Sequence, residues 1–165
     1  VGKWPAAAVL VVDVLKGALA VVFARWFCAW AHATTQEAFN LGAVMPWVVC
    51  LAGIFALVGH SKSVWLNFAG GKSVATGLGV LLAMAWPVGA GAFAAFIVML
   101  AATRIVSASS VIAAFSAIIL VCSMEQPIAY RLLVIAGSGY VIVRHRANLR
   151  RIIARTEPRL GQRDT

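Results

Sequence analysis

The fold is decided by the stretch Gly59-His60-Ser61-Lys62-Ser63-Val64-Trp65-Leu66-Asn67-Phe68-Ala69-Gly70-Gly71-Lys72-Ser73-Val74-Ala75-Thr76. This stretch is the longest polar, glycine-containing interruption in an otherwise apolar chain, and it separates the hydrophobic runs at 41–58 and 74–86. It carries lysines, hydroxyl groups and a glycine pair, and it leads directly into an apolar run. Because unpaired N–H groups at the start of a helix attract anions, we expect an anion-binding loop at a membrane surface.

The composition places the chain among integral membrane proteins. Of its 165 residues 62% are hydrophobic, and the mean hydropathy is +0.94, whereas apolar residues make up roughly half of a soluble domain. The net charge of +9 does not indicate nucleic-acid binding, because the hydropathy leaves no soluble body to carry a basic face. We therefore expect membrane lipids, and no nucleic acid, as partners.

The apolar runs predict six transmembrane or near-transmembrane helices, since a helix needs about 20 apolar residues to cross the hydrocarbon core. The predicted segments are residues 5–31, 41–58, 74–86, 88–103, 110–122 and 127–143. The third segment is short, and we expect Pro87 to end it, because proline removes a backbone donor. The predicted fold is an all-α polytopic membrane bundle, a single domain over residues 1–165 with a basic cytoplasmic tail at 143–165.

The charge distribution predicts the orientation of the bundle. One set of connections carries Lys3, Lys62, Lys72, Arg104, Arg144, Arg146, Arg150, Arg151, Arg155, Arg159 and Arg163. The alternate connections contain no lysine or arginine and hold Glu37 and Glu125. Because basic connections stay inside, we expect the glycine loop (residues 59–73), the polar break at 104–107, the tail and both chain ends to be cytoplasmic.

Three charged residues lie within the first segment. Asp13 and Lys16 are three residues apart, so they share a helical face and can pair. A charge inside a membrane costs about 2.5–3.5 kcal/mol on insertion scales, so the pair should face the bundle. We predict a structural ion pair that holds helices together, with a place beside the cytoplasmic site as the alternative. We expect Arg25 to extend to the outer membrane surface.

The tripeptide Gly71-Lys72-Ser73 invites a nucleotide-binding interpretation, which the surrounding residues exclude. The P-loop pattern requires glycine where this chain has Leu66, and it requires a preceding strand. The general physics of an anion site still applies, with a flexible backbone, a helix N-terminus, hydroxyl groups and a lysine. The candidate binding residues of the loop are Gly70, Gly71, Lys72, Ser73 and Thr76. The alternative is an ordinary capped helix with a lysine at the interface.

Further candidate site residues lie outside the glycine pair, and they are His60, Arg104, Ser107, Ser110, His145 and Asn148. His145 and Asn148 are three residues apart and would share a helical face. Each candidate has a structural alternative. His60 could be an interfacial histidine, the serines could form a capped helix start, and the arginine-rich tail could anchor the chain to anionic lipid.

The sequence offers little support for metal or cofactor chemistry. Cys28, Cys50 and Cys122 lie inside apolar runs without ligand spacing, so we expect buried, inert thiols and no metal site. A serine-hydrolase elbow is lacking, and with five carboxylates in the whole chain paired carboxylate catalysis is improbable. We expect no cofactor.

Several short segments, taken in order, resemble the PlsY family of bacterial membrane acyltransferases. They are Asp13-Val14-Leu15-Lys16-Gly17, Gly59-His60, Gly70-Gly71-Lys72-Ser73-Val74-Ala75-Thr76 with Gly79-Val80, Ser107 to Ser110, and Arg144-His145-Arg146-Ala147-Asn148 with Glu157. The resemblance implies transfer of an acyl group from acyl phosphate to glycerol 3-phosphate. The product would be lysophosphatidic acid for phospholipid biosynthesis, made at the bacterial plasma (inner) membrane.

The resemblance also implies roles for single residues. The glycine pair with Lys72 looks like the glycerol-phosphate-binding motif, and Ser107 and Ser110 resemble the middle polar motif. His145 and Asn148 match residues linked to activity, so we take them with Lys72 as catalytic candidates. Glu157 matches a residue associated with integrity, and we assign it, like the Asp13–Lys16 pair, a structural role.

The chain also departs from the family pattern. The family commonly has glycine where Ser73 stands and proline where Ser63 stands, and its first helix and an active-site loop would precede Val1. The resemblance therefore implies an N-terminally truncated chain, with inactivity as one expectation. The rival functions are a small anion or phosphate transporter, built on the same helix N-terminus and charge pair, and a structural membrane subunit with a lipid-binding tail.

Overall fold

The computed structural model describes residues 3–35, 40–63, 67–68 and 70–161. Several predictions about charged positions lie outside these residues. They concern Glu37 on the outer side and Arg163 in the tail, and they keep the status of expectations.

Seven helices make up the regular structure of the described residues. They are α1 (Lys3–Thr34), α2 (Leu41–Ser61), α3 (Val74–Met84), α4 (Trp86–Thr103), α5 (Val106–Ser123), α6 (Ile128–Arg144) and α7 (Arg146–Ile153). By length and composition α1, α2, α4 and α5 can cross a membrane, and α3 is a shorter apolar helix of 11 residues. The all-α prediction is confirmed, and the six predicted segments correspond to α1 to α6.

The break between the third and fourth helices lies at Ala85, so the prediction that Pro87 ends the third segment is wrong. Ala85 has φ −145° and ψ 79°, which are not helical values, whereas Pro87 lies in the first turn of α4. A proline is tolerated in a first turn because its missing N–H would have no helical partner there. The proline therefore begins a helix and does not end one.

The fifth helix begins earlier than the sequence predicts, at Val106 and not at Ser110. Two serines near its start do not interrupt the helix, since their hydroxyls donate to carbonyls one turn earlier. Ser109 donates to the Ile105 carbonyl at 2.9 Å, and Ser110 donates to the Val106 carbonyl at 2.9 Å. Bonds of this kind to the preceding turn satisfy a hydroxyl without any partner from another segment.

The central helix of the bundle is α3, which contacts α1, α2, α4 and α6. Its closest approach is to α1, where two glycines bring the backbones together. A Cβ on Gly79 would lie 1.9 Å from the Val14 carbonyl oxygen, and a Cβ on Gly17 would lie 2.2 Å from the Thr76 carbonyl oxygen. Small residues allow this packing between membrane helices, and here they fix α3 against α1.

The core closes the end of the bundle remote from the glycine loop. Val88 at the start of α4, Val121 at the end of α5 and Ala129 at the start of α6 are fully buried. All three lie at the same end as the Ala85 break, because α5 ends and α6 begins there. Close van der Waals packing of these side chains stabilises this end of the bundle.

Arg25 lies inside the bundle, so the prediction that it extends to the outer surface is wrong. Its guanidinium donates to the Met84 carbonyl at 2.9 Å and to the Tyr130 hydroxyl at 3.2 Å. Met84 is the last residue of α3, and the terminal carbonyls of a helix lack helical partners. Arg25 therefore caps α3 at its negative end.

The three cysteines are free, but they are not all buried. Cys28 and Cys50 are buried as predicted, whereas Cys122 lies on the exposed surface of α5. The prediction of a buried thiol is wrong for Cys122.

The Gly79 contact gives a test of the α1–α3 packing. Gly79→Ala should lower the melting temperature of the detergent-solubilised protein, because overpacking typically costs about 1–3 kcal/mol and the obstacle here is backbone. Gly139→Ala in α6 is the matched control, since nothing lies within 4 Å of its added Cβ. Thermal unfolding followed by tryptophan fluorescence measures both. Equal melting temperatures for the two variants would contradict the packing.

Candidate active site

A cavity of about 1200 Å³ opens at the end of the bundle that carries the glycine loop. Its polar end is lined by His60, Lys72, Ser107, His145, Asn148, Arg151 and Glu157. Apolar side chains of α3, α4 and α6 line the rest, among them Leu81, Phe96 and Leu133. The cavity therefore has a charged mouth and an apolar interior.

The carboxylate of Glu157 holds the polar end together. Ser107 on α5 and Asn148 on α7 both donate to Oε1, at 2.6 and 2.7 Å, and Arg151 donates to Oε2 at 2.7 Å. Asn148 in turn accepts from the Lys72 ammonium, whose Nζ lies 2.6 Å from Oδ1. We call these five residues the Glu157 network. It joins the glycine loop, α5 and α7 through one side chain.

Hydrogen bonds keep Glu157 ionised in this position. Its side chain is 7% exposed. Burial alone would raise the pKa of the carboxyl, but the hydrogen bonds from Asn148, Ser107 and Arg151 and the charge of Arg151 hold its pKa below the ordinary value. A carboxylate that accepts several hydrogen bonds behaves in this way. Glu157 is thus a fixed negative charge among cations.

Lys72 lies where several charges compete. Burial lowers the pKa of its ammonium, Glu157 raises it, and the nearby Arg151 and Arg144 lower it further. Since like charges crowd around one carboxylate, the mouth of the cavity retains an excess of positive charge. An anion entering the cavity would relieve this repulsion.

His145 is buried, and its ring orientation is fixed. Its Nδ1 lies 2.8 Å from the Val141 carbonyl oxygen. A carbonyl can only accept, so Nδ1 carries a hydrogen and Nε2 of the neutral ring is left as an acceptor. Burial lowers the pKa of His145, and the Lys72 charge lowers it too, against the Val141 hydrogen bond that raises it. The neutral ring is therefore favoured near neutral pH.

The glycine pair packs against the end of α2. A Cβ on Gly70 would lie 2.0 Å from the His60 carbonyl oxygen, and a Cβ on Gly71 would lie 2.3 Å from His60 Nε2. The Gly70 N–H donates to the Ser61 carbonyl at 3.1 Å, so it is not free to bind an anion. The carbonyls of both glycines accept from Arg144 at 3.3 Å. These contacts give a steric reason for glycine at both positions.

Ser73 and Thr76 do not present free hydroxyls to the cavity. Ser73 caps α3 in the left-handed conformation with φ 60°, and its hydroxyl donates to the Leu57 carbonyl at 2.9 Å and contacts the Ser61 hydroxyl. Thr76 is fully buried, its hydroxyl has no hydrogen-bond partner among the described residues, and it is not among the cavity-lining residues. Their predicted substrate contacts find no support in this arrangement.

Arg104 lies apart from the other candidates. It ends α4 in the left-handed conformation, its carbonyl accepts from the Leu160 N–H at 2.7 Å, and it lines a separate groove of about 280 Å³. The structure does not bring it to the mouth of the main cavity. Ser110 lines the cavity, but its hydroxyl is bonded within α5.

The predicted Asp13–Lys16 pair is present, with 2.6 Å between Oδ1 and Nζ. Lys16 also lies 2.6 Å from His60 Nδ1, and Asp13 lines the cavity. The geometry is therefore compatible with both interpretations from the sequence, a structural ion pair and a position beside the site.

Sequence reasoning missed Arg151 and Arg144 as individual site residues, because both were counted only as orientation charges. Arg151 follows Asn148 by three residues, so the helical spacing that joined His145 to Asn148 could have found it. Arg144 reaches the loop through backbone carbonyls, which leave no signal in the sequence. In the part of the chain that the structure describes, no group of histidine, cysteine and carboxylate side chains could hold a metal ion.

Comparison with known proteins shows the family of the chain. The model of the family described as glycerol-3-phosphate acyltransferase matches residues 1–155. The glycerol-3-phosphate acyltransferase 2 of Rhizobium johnstonii is 62% identical over 165 residues, covering 98% of this chain and 75% of that protein. The chain belongs to the glycerol-3-phosphate acyltransferase family. A relative from Acaryochloris marina is 51% identical over 168 residues, 98% of this chain and 73% of its own length.

Two crystal structures of PlsY, described as an integral membrane glycerol 3-phosphate acyltransferase, share the fold. The glycerol 3-phosphate form gives a TM-score of 0.80 at 28% identity, covering 98% of this chain and 74% of that chain. The lysophosphatidic acid form gives a TM-score of 0.79 at 28% identity, covering 97% and 74%. The resemblance inferred from the sequence is confirmed, and this chain is an integral membrane acyltransferase that acts on glycerol 3-phosphate.

The left-handed conformation of Ser73 in this acyltransferase predicts an unusual order of variants. Ser73→Gly loses the hydroxyl contacts but relieves a strain of about 1–2 kcal/mol, so its stability should stay near that of the wild type. Ser73→Ala loses the contacts and keeps the strain, so it should melt several degrees lower. Melting temperatures in detergent compare the two. A glycine variant less stable than the alanine variant would contradict the strain.

The lowered pKa of Glu157 predicts that the stability of the protein depends on pH. Because its folded pKa is lowered from the ordinary 4.5, its contribution is present above that value and is lost as the pH falls through the folded pKa. Glu157→Gln should therefore lower the melting temperature by several degrees at pH 7.5, and the difference from wild type should shrink in acid. Glu125→Gln, at an exposed position between α5 and α6, is the matched control. A difference that is constant with pH would show that the charge is unimportant.

Proposed function

We propose that this acyltransferase takes its acyl group from acyl phosphate and transfers it to glycerol 3-phosphate at the mouth of the cavity. The observation that carries the proposal is the continuity of the cavity, whose cationic mouth leads into an apolar interior. A phosphate fits the first part and an acyl chain the second. Both substrates of the proposed reaction carry a phosphate, and one carries an acyl chain.

The reaction needs no cofactor, because the acyl phosphate is already activated. The hydroxyl oxygen of glycerol 3-phosphate attacks the acyl carbonyl carbon and forms the ester bond. The bond between that carbon and the phosphate oxygen breaks, inorganic phosphate leaves, and the hydroxyl gives up its proton. The protein then contributes chiefly by positioning the reactants and stabilising charge.

Lys72 and the N-terminus of α3 supply the phosphate site in this proposal. Ser73 makes no side-chain cap bond to the first turn of α3, so the N–H groups of that turn are available to an anion. The Lys72 ammonium donates to Asn148, a bond that a phosphate oxygen could replace. Asn148 would then orient the substrate while remaining bonded to Glu157.

His145 is the candidate base. It lines the cavity, it is buried, and its Nδ1–H is directed to Val141, so Nε2 can accept a proton. Burial lowers the pKa of His145, which keeps the ring neutral and ready to accept near pH 7. The phosphate of the substrate is a second acceptor that could share this task.

Transport receives less support than transfer. The far end of the bundle is filled by the buried side chains of Val88, Val121 and Ala129, and none of them lines the cavity. A path across the membrane would have to pass through this core. We infer that the cavity is a reaction chamber that opens on one side.

The mouth of the cavity should face the cytoplasm of the bacterium. Basic residues such as Lys62, Arg144 and Arg151 lie at this end of the bundle, whereas Glu125 lies in the connection at the opposite end. The positive-inside rule then orients the site inward, with both chain ends on the same side.

Replacing Lys72 tests the function and the site together. Lys72→Met should lower acyl transfer by at least about 100-fold, as the loss of a single charge-stabilising donor does in other enzymes. The assay follows phosphate release and lysophosphatidic acid formation by purified protein, and both must depend on acyl phosphate and on glycerol 3-phosphate.

Lys62→Met is the matched control, because Lys62 is exposed at the start of the glycine loop, and it should keep wild-type turnover. Full activity of Lys72→Met would refute the site assignment. Phosphate movement across sealed vesicles without an acylated product would refute the function.

A further inference from the structure

A series of side-chain contacts leads from α1 to the glycine pair. Asp13 Oδ1 and His60 Nδ1 both lie 2.6 Å from the Lys16 ammonium nitrogen. Asp13 Oδ1 and His60 Nδ1 are themselves 3.6 Å apart. Lys16 thus stands between a carboxylate and an imidazole, and it bridges α1 to the end of α2.

This contact determines which nitrogen of His60 carries hydrogen. A lysine ammonium is a donor with no acceptor capacity, and Lys16 donates to the Asp13 carboxylate at 2.6 Å. A hydrogen on Nδ1 would place two donors face to face at 2.6 Å. Nδ1 must therefore accept, and the hydrogen of the neutral ring lies on Nε2.

The edge of the ring that carries Nε2 faces Gly71. A Cβ on Gly71 would lie 2.3 Å from Nε2, 3.0 Å from Cε1 and 3.3 Å from Cδ2. His60, Gly71 and Lys72 all line the cavity, whereas Lys16 does not. The Nε2–H group therefore lies beside Gly71, next to Lys72. Lys16 contacts the other ring nitrogen and lies outside the cavity lining.

We propose that Asp13 and Lys16 are positioning residues for the phosphate site, acting through His60. Lys16 donates to Nδ1, leaves the hydrogen on Nε2, and so makes His60 a donor to a phosphate oxygen held by Lys72. The proposal rests on the proposed function of the cavity. It goes beyond a structural ion pair, because it gives the pair an effect on substrate binding.

The two histidines of the cavity are then held as opposite tautomers. His145 directs its Nδ1–H to the Val141 carbonyl and keeps a bare Nε2, whereas His60 receives a hydrogen bond at Nδ1 and keeps Nε2–H. One ring offers an acceptor for a proton and the other a donor for an anion. Their partners enforce this difference, and no change of pH is needed to produce it.

Kinetics with Lys16→Met provide the first test. The Michaelis constant for glycerol 3-phosphate or for acyl phosphate should rise about tenfold, as expected for one hydrogen bond to a charged group, while kcat changes much less. The substrate whose constant rises is the one whose phosphate His60 contacts. Lys16→Arg, which still donates, should restore binding, and Lys62→Met should behave as wild type. Unchanged constants for both substrates would overturn the proposal.

Coupling to His60 separates positioning from a purely structural role. If Lys16 acts through His60, adding Lys16→Met to His60→Ala should change the Michaelis constants no further, because contacting residues are not additive. A second tenfold rise in the double variant would mean that Lys16 acts by another route, and the proposal would fail. Melting temperatures of all variants show which losses arise from unfolding.

A measurement on the wild-type protein keeps the proposal testable even if every variant at Lys16 fails to fold. The ¹⁵N resonances of labelled imidazoles report which nitrogen carries hydrogen, and His60→Gln assigns the His60 signals. We expect hydrogen on Nε2 of His60 and on Nδ1 of His145. Hydrogen on Nδ1 of His60 in a protein with acyltransferase activity would overturn this inference alone, whereas absence of acyl transfer by the wild type would refute the proposed function.

Discussion

The polar end of this acyltransferase depends on one buried carboxylate. Glu157 accepts from Ser107, Asn148 and Arg151, so α5, α7 and the segment after α7 meet at a single side chain. Through Asn148 it also holds Lys72, the residue that follows the glycine pair. A carboxylate withdrawn from water is tolerated only when its oxygens are bonded and its charge is met. The same bonds that satisfy Glu157 therefore assemble the mouth of the cavity.

The charge of the mouth follows from this arrangement. Among the described residues, the two carboxylates at this end are already engaged, Glu157 with Arg151 and Asp13 with Lys16. Within the described part of the chain, Lys72 and Arg144 form no ion pair of their own, since Lys72 donates to an amide and Arg144 to backbone carbonyls. The residual positive charge is thus the consequence of having few acids in a basic chain.

The sequence predicted the membrane class and the helices, because these depend on local composition. The site residues were chosen from short motifs, and their roles stay predictions. The sequence placed Pro87 and Ser110 wrongly at helix ends, since it could not foresee that a proline would begin a helix or that serines would bond within one. Arg25 was misplaced because its acceptor, the Met84 carbonyl, exists only once α3 ends at that residue. The predicted substrate contacts of Ser73 and Thr76 find no support for a related reason. A hydroxyl in the sequence indicates a hydrogen-bond donor. Its partner, which can be a ligand, a protein group or none, depends on the packing around it.

The two ends of the short helix α3 meet opposite charges. Eleven residues rise about 16 Å, roughly half of the hydrocarbon core, and α3 ends against the buried side chains at the closed end of the bundle. An internal helix end leaves carbonyls without partners, and Arg25 meets one of them. At the other end α3 begins beside Lys72 at the cavity mouth. Cations are favoured at the C-terminus of a helix and anions at its N-terminus, so the guanidinium at one end and a phosphate at the other would both stabilise the same helix dipole. Arg25, which was predicted to reach the membrane surface, therefore helps to hold α3 in the position in which its N-terminus faces the substrate.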